Sequence, residues 1–92
     1  MSIIETAYRA AKMGADNVLP AGTEHLVRAA EMVDWQGEAG LSIDVVVPDN
    51  FFEREDVGDK LIELTDYIRR ELLAAGENRF PYVELSPKSA AA

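Results

Sequence analysis

A single apolar stripe in the second half of the chain constrains its fold more than any other feature. Val57, Leu61, Leu64, Ile68, Leu72 and Ala75 follow one another at intervals of 4, 3, 4, 4 and 3 residues. That spacing keeps side chains on one face of an α-helix. It predicts a helix over residues 53–75 that Gly76 ends, roughly 30 Å long at 1.5 Å per residue. Asp56 and Lys60, and Asp66 and Arg70, stand four apart on its outer side, where opposite charges support a helix. So long a stripe needs an apolar surface of similar length to cover it.

Two segments can supply that surface. In 41–47, Leu41, Ile43, Val45 and Val47 alternate with Ser42, Asp44 and Val46 before Pro48, the pattern of a half-buried strand. In 80–85, Val83 and Leu85 share one face, and Pro81, with no N–H to donate, suits an edge or a strand start. The order strand, long helix, strand resembles half of a ferredoxin-like fold, a split β-α-β-like arrangement common to many unrelated domains and implying no function. The predicted class is α+β: a small two-layer domain with N-terminal helices and a two- or three-stranded sheet packed on one long helix.

The N-terminal half reads less simply. Ser2 and Glu5 have capping-box spacing, and Ile3, Ile4, Ala7, Tyr8 and Ala11 share a face, which predicts a helix over 1–14 that Gly14 stops. Residues 15–22 read as a linker containing Pro20 and Gly22, 23–85 as the main body of one domain, and 86–92 as a frayed tail. For 23–34 the stripe Leu26, Val27, Ala30, Val33 and the helix-favouring residues Ala, Glu, Leu and Met predict a second helix. The alternative is a strand over Met32–Trp35 that opens a β-hairpin through Gln36–Gly40. Under it the sheet gains a third strand. Open sheet edges would invite a homodimer.

Charge and composition narrow the function. With 17 acids against nine bases the net charge is −8, which opposes nucleic-acid binding, since that needs a basic stripe. The chain has no cysteine, so neither disulfides nor zinc-thiolate sites arise. No basic N-terminal region with a long apolar run, and no stretch of about 20 apolar residues, points to a membrane. The expected location is the cytoplasm, with no membrane partner. The single histidine, His25, has Glu24 and Asp16 near it in sequence but no triad-like pattern. It reads as a surface residue, and only secondarily as the base of a minor enzyme or small-ligand sensor. The acids Asp49, Glu53, Glu55, Asp56 and Asp59 lack the oxygen-ligand order of a calcium loop. They suit the positive end of a helix instead. No metal, cofactor or catalytic residue is predicted.

Two features remain. Phe51 and Phe52 adjoin Asp49, Glu53, Glu55 and Asp56. Neighbouring side chains of a regular element diverge, so either an irregular loop buries both rings or one is presented to a partner. Trp35 stands alone in a polar stretch and reads as a core anchor before an interface residue. The expected function is a non-enzymatic protein-protein interaction module, an accessory, adaptor or regulatory subunit. Its partner-binding residues would be Phe51, Phe52, Asp49, Glu53, Glu55 and Asp56, facing a protein with a basic surface. The alternative is an acidic inhibitor that mimics nucleic acid on a partner's basic site. Self-repulsion among the clustered acids is expected to raise their pKa values.

Overall fold

The computed structural model describes residues 2–91. Its elements run α1 (Ile3–Val18), β1 (Leu26–Val33), β2 (Ala39–Val47), a 3-10 turn (Asp49–Glu53), α2 (Val57–Ala74), β3 (Phe80–Pro87) and a short α3 (Lys88–Ala91). The sheet has the order β1-β2-β3, with β1 antiparallel and β3 parallel to β2. It is a two-layer α+β domain in which α2 crosses between the parallel strands.

The core is the one the two clearest patterns predict. Leu41, Ile43, Val45 and Val47 on β2 and Leu64, Ile68 and Leu72 on α2 are all buried in one cluster, with Val83 and Leu85 packed against it. Leu61 and Val57 are only half-buried, and Ala75 is exposed at the end of the helix. Gly76 has φ +83°, the left-handed value that glycine adopts without steric cost when a helix ends.

Three expectations about the N-terminal half are overturned. Residues 26–33 form a strand, not a helix. The register Leu26 opposite Val46 through Val33 opposite Ala39 supplies backbone partners along the whole strand, and those outweigh the modest helix preference of Ala29, Ala30, Glu31 and Met32. α1 does not stop at Gly14 but runs to Val18, so 15–18 are helix rather than linker. A Cβ at Gly14 would lie 3.1 Å from both Leu64 Cδ1 and Ile68 Cγ1. The glycine, with buried Ala7, Ala10, Ala11 and Ala15, lets α1 and α2 pack closely. Ser2 does cap α1, accepting a hydrogen bond from the Glu5 N–H at 3.2 Å.

The tail is also more ordered than its composition suggests. β3 continues through Ser86 and Pro87, paired with Val46 and Val47. Lys88 pairs with Glu24 at 3.3 Å, and the Ser89 N–H donates to Asp49 at 3.0 Å. Met1 and Ala92, the ends of the predicted first helix and tail, lie outside the described residues. No helix among the described residues is long and apolar enough to cross a membrane.

Candidate functional site

The predicted partner surface surrounds the 3-10 turn between β2 and α2. The turn resolves the two phenylalanines: Phe51 is 5% exposed and joins the core, while Phe52 is 39% exposed. Their rings meet edge to face at 6.4 Å. Of the four acids, two are held within the chain. Arg54 grips Asp56 through two hydrogen bonds of 2.8 and 2.9 Å, and Asp49 accepts from Ser89. These contacts hold both carboxyl groups below their ordinary value, with the hydrogen bond as the leading cause in each case. Phe52, Asp49, Glu53 and Glu55 are exposed on the shoulder, and Asp56 is half-buried. The shifts of Asp34, Asp49 and Asp56 are all downward, opposite to the rise expected from self-repulsion.

His25 is engaged on both ring nitrogens. Nδ1 faces the Thr23 carbonyl at 3.0 Å, so it carries the proton. Nε2 then accepts from the Lys12 ammonium at 2.8 Å, and Asp16 stands 3.3 Å from that ammonium. The cluster straps α1 to the start of β1. A groove of about 440 Å³ on the other side is lined by His25, Leu26, Arg28, Val46 and Lys88, but it contains none of the groups the imidazole bonds. The Asp16 neighbour anticipated from sequence is present, and it serves the strap. Among the described residues no group of three His, Cys, Asp or Glu side chains is placed to hold a metal ion.

The surface that sequence reasoning carried only as an alternative, with a strand over Met32–Trp35 and a loop over Gln36–Gly40, is the β1–β2 hairpin, whose strand is Leu26–Val33. Trp35, expected in the core, is 89% exposed. It occupies a three-residue loop, Trp35-Gln36-Gly37, closed by the Asp34 N–H donating to the Glu38 carbonyl at 2.8 Å. The Gly37 N–H returns to the Asp34 carbonyl at 3.0 Å with Gly37 at φ +83°, the type I turn plus left-handed residue common in hairpins. The Asp34 carboxylate accepts from the Gln36 and Glu38 N–H groups, both at 2.9 Å. These bonds, the one from Glu38 foremost, lower its pKa. The loop is therefore pre-organised with its largest side chain outside. The signal in the sequence was Asp34 followed by Gly37, an Asx-type turn pattern. Exposed Leu26 and Val33 extend the apolar character along β1.

Comparison with models of known families, with curated proteins and with solved structures yields no match.

Proposed function

We propose that this protein is a binding module with no chemistry of its own, and that it meets its partner through the Trp35-bearing hairpin and the adjoining β1 strand. The observation that carries this reading is Trp35, 89% exposed on a loop fixed by four hydrogen bonds from or to Asp34. A tryptophan held in water contributes almost nothing to folding. A rigid aromatic anchor, in contrast, loses little conformational freedom on binding and is the side chain most enriched at binding hot spots. A second reading places contact on the acidic shoulder, favoured by the 39% exposure of Phe52 beside Glu53 and Glu55.

Quantitative affinity capture with wild type, Trp35→Ala and Phe52→Ala tests both readings. Trp35→Ala should leave stability within about 0.5 kcal/mol and weaken partner binding by ~2 kcal/mol or more. Unchanged capture by Trp35→Ala overturns the first reading, and loss confined to Phe52→Ala establishes the second. Because the chain has one tryptophan, its fluorescence also reports directly on whether the ring becomes covered.

A further inference from the structure

We infer that the free edge of β1 pairs with β1 of a second copy, antiparallel about a two-fold axis beside Ala30, joining the two sheets into one. The inference rests on reading the Trp35-bearing side as a contact surface, and it names the partner.

The backbone phase of β1 follows from its hairpin. The Asp34–Glu38 pair is hydrogen-bonded. Because such pairs alternate in an antiparallel ladder, the unbroken register assigns Met32, Ala30, Arg28 and Leu26 to bond β2. The N–H and C=O groups of Val27, Ala29, Glu31 and Val33 therefore point outward, and no other element among the described residues bonds them. Natural edges are blunted by proline, charged side chains (lysine above all) or bulges. β3, the other edge, contains Pro81 and Pro87, whereas β1 has no proline, no lysine and an unbroken register, and its charges are only Arg28 and the Arg79-paired Glu31.

The outward groups are self-complementary. Centring the axis on Ala30 sets Val27 against the partner's Val33 and Ala29 against the partner's Glu31, engaging all four outward residues in about eight backbone hydrogen bonds. Arg28 then faces the partner's Met32, so no two like charges lie directly opposite. Glu31 already has Arg79 as its counterion at 2.6 Å. The same register brings each Trp35 beside the partner's end of β1, where Leu26 is exposed.

α1 makes the match specific to a second copy. Its Lys12 and Asp16 reach His25 just before β1. Further along the strand, Ala29 shares a shallow groove of about 500 Å³ with Ile4, Glu5, Tyr8, Arg9, Lys12 and Met13. The helix thus runs beside the edge in the opposite direction. A two-fold axis perpendicular to the sheet places both copies of α1 on one side and antiparallel. Read in the reverse direction the groove residues complement one another in kind: Ile4 and Met13 are apolar, Glu5 and Lys12 are of opposite charge, and Tyr8 and Arg9 are an aromatic and a cation. An antiparallel pair of such faces offers apolar, opposite-charge and cation–π partners, the chemistry that this acidic chain needs to bind itself.

The test is sedimentation of the full chain across concentrations at about 0.15 M salt, where the screening length is about 8 Å. Wild type should dimerise with a blue shift of Trp35 fluorescence. Ala30 is exposed, so Ala30→Lys should fold normally, place two ammonium groups together on the axis and weaken the dimer by at least about a hundredfold. Ser42→Lys, on the exposed face of the central strand, should weaken it by less than about threefold. The chain has no cysteine, so Ala30→Cys should form a disulfide only between copies, and readily, since unbonded antiparallel pairs sit about 4.5 Å apart at Cα. A monomeric wild type, or a dimer in which Ala30→Lys and Ser42→Lys behave alike and Ala30→Cys stays reduced, overturns the pairing. Trp35-dependent capture of a different protein by a monomeric chain would refute the pairing while leaving the binding-module reading intact.

Discussion

The Tyr82 hydroxyl on β3 donates to the carboxylate of Asp34, at 3.2 Å, across the full width of β2. It reaches that far because Gly40 lies between them. A Cβ there would stand 3.0 Å from Tyr82 Cε2, so the missing side chain lets the ring lie flat over the central strand. The bond ties the loop that presents Trp35 to the far edge of the sheet. Tyr82→Phe and Gly40→Ala, which displaces the ring, should both speed amide hydrogen exchange at Gln36 and Glu38 and lower the fluorescence anisotropy of Trp35. Asp34→Ala, which removes the loop's own acceptor, should do so more strongly. Exchange rates identical to wild type in all three would show that the loop needs neither support.

The pH dependence follows from the same contacts. Asp34, Asp49 and Asp56 are each lowered from an ordinary value of 3.8, mainly by hydrogen bonds to Glu38 N–H, Ser89 N–H and Arg54 respectively. A carboxyl that is more acidic in the folded state binds fewer protons there than when unfolded. It therefore stabilises the fold fully above the unfolded value and stops doing so as pH falls through the folded one. Melting temperature should be nearly level from about pH 8 to pH 5 and drop below about pH 4. A melting temperature that rises on acidification through pH 5 would restore the self-repulsion expected from the sequence.

Leu64 and Ile62 lie on the same helix and differ in what they touch. Leu64 is fully buried between α1 and the sheet, and Ile62 is 63% exposed. Leu64→Ala should cost ~2–5 kcal/mol through lost burial and the cavity left behind. Ile62→Ala should change stability by less than about 0.5 kcal/mol. Urea unfolding of both variants checks the pair, and comparable losses would mean that the outward face of α2 is covered in solution.

How much of this was legible in the sequence depends on how many partners a residue's pattern must satisfy. The α2 stripe and the alternation of β2 each face one continuous surface, so their period is clean. β1 has one neighbour strand and one open edge, and carries apolar residues on both faces, Val27 inward and Leu26 outward. Its composition therefore mimics a helix. Gly14 looked like a helix stop because its purpose, close approach of Leu64 and Ile68, lies fifty or so residues away in the chain. Trp35 looked like core because size and apolarity usually mean burial. The loop geometry that excludes it is set by Asp34 and Gly37, whose turn signal is local but weak. At the 3-10 turn the sequence left burial of both rings and exposure of one as alternatives, and the turn separates them, burying Phe51 and exposing Phe52.

That separation gives the sharpest test of the acidic shoulder. Phe51 is 5% exposed, inside the main cluster, with the Arg54 guanidinium 5.6 Å from its ring centre. Removing its ring empties core volume and leaves that cation without its aromatic neighbour, so Phe51→Ala should cost ~3–5 kcal/mol. Phe52 rests edge-on against Phe51 with much of its ring in water. Its truncation forfeits one aromatic contact worth about 0.5–1.5 kcal/mol and little burial. Phe51→Leu keeps most of the volume and should recover part of the loss, whereas no such rescue is needed at Phe52. Thermal unfolding of the three variants at neutral pH measures the ordering. Equal destabilisation by Phe51→Ala and Phe52→Ala would make both rings core, leaving that shoulder's polar and charged groups, Glu53 and Glu55 among them, for a partner to meet.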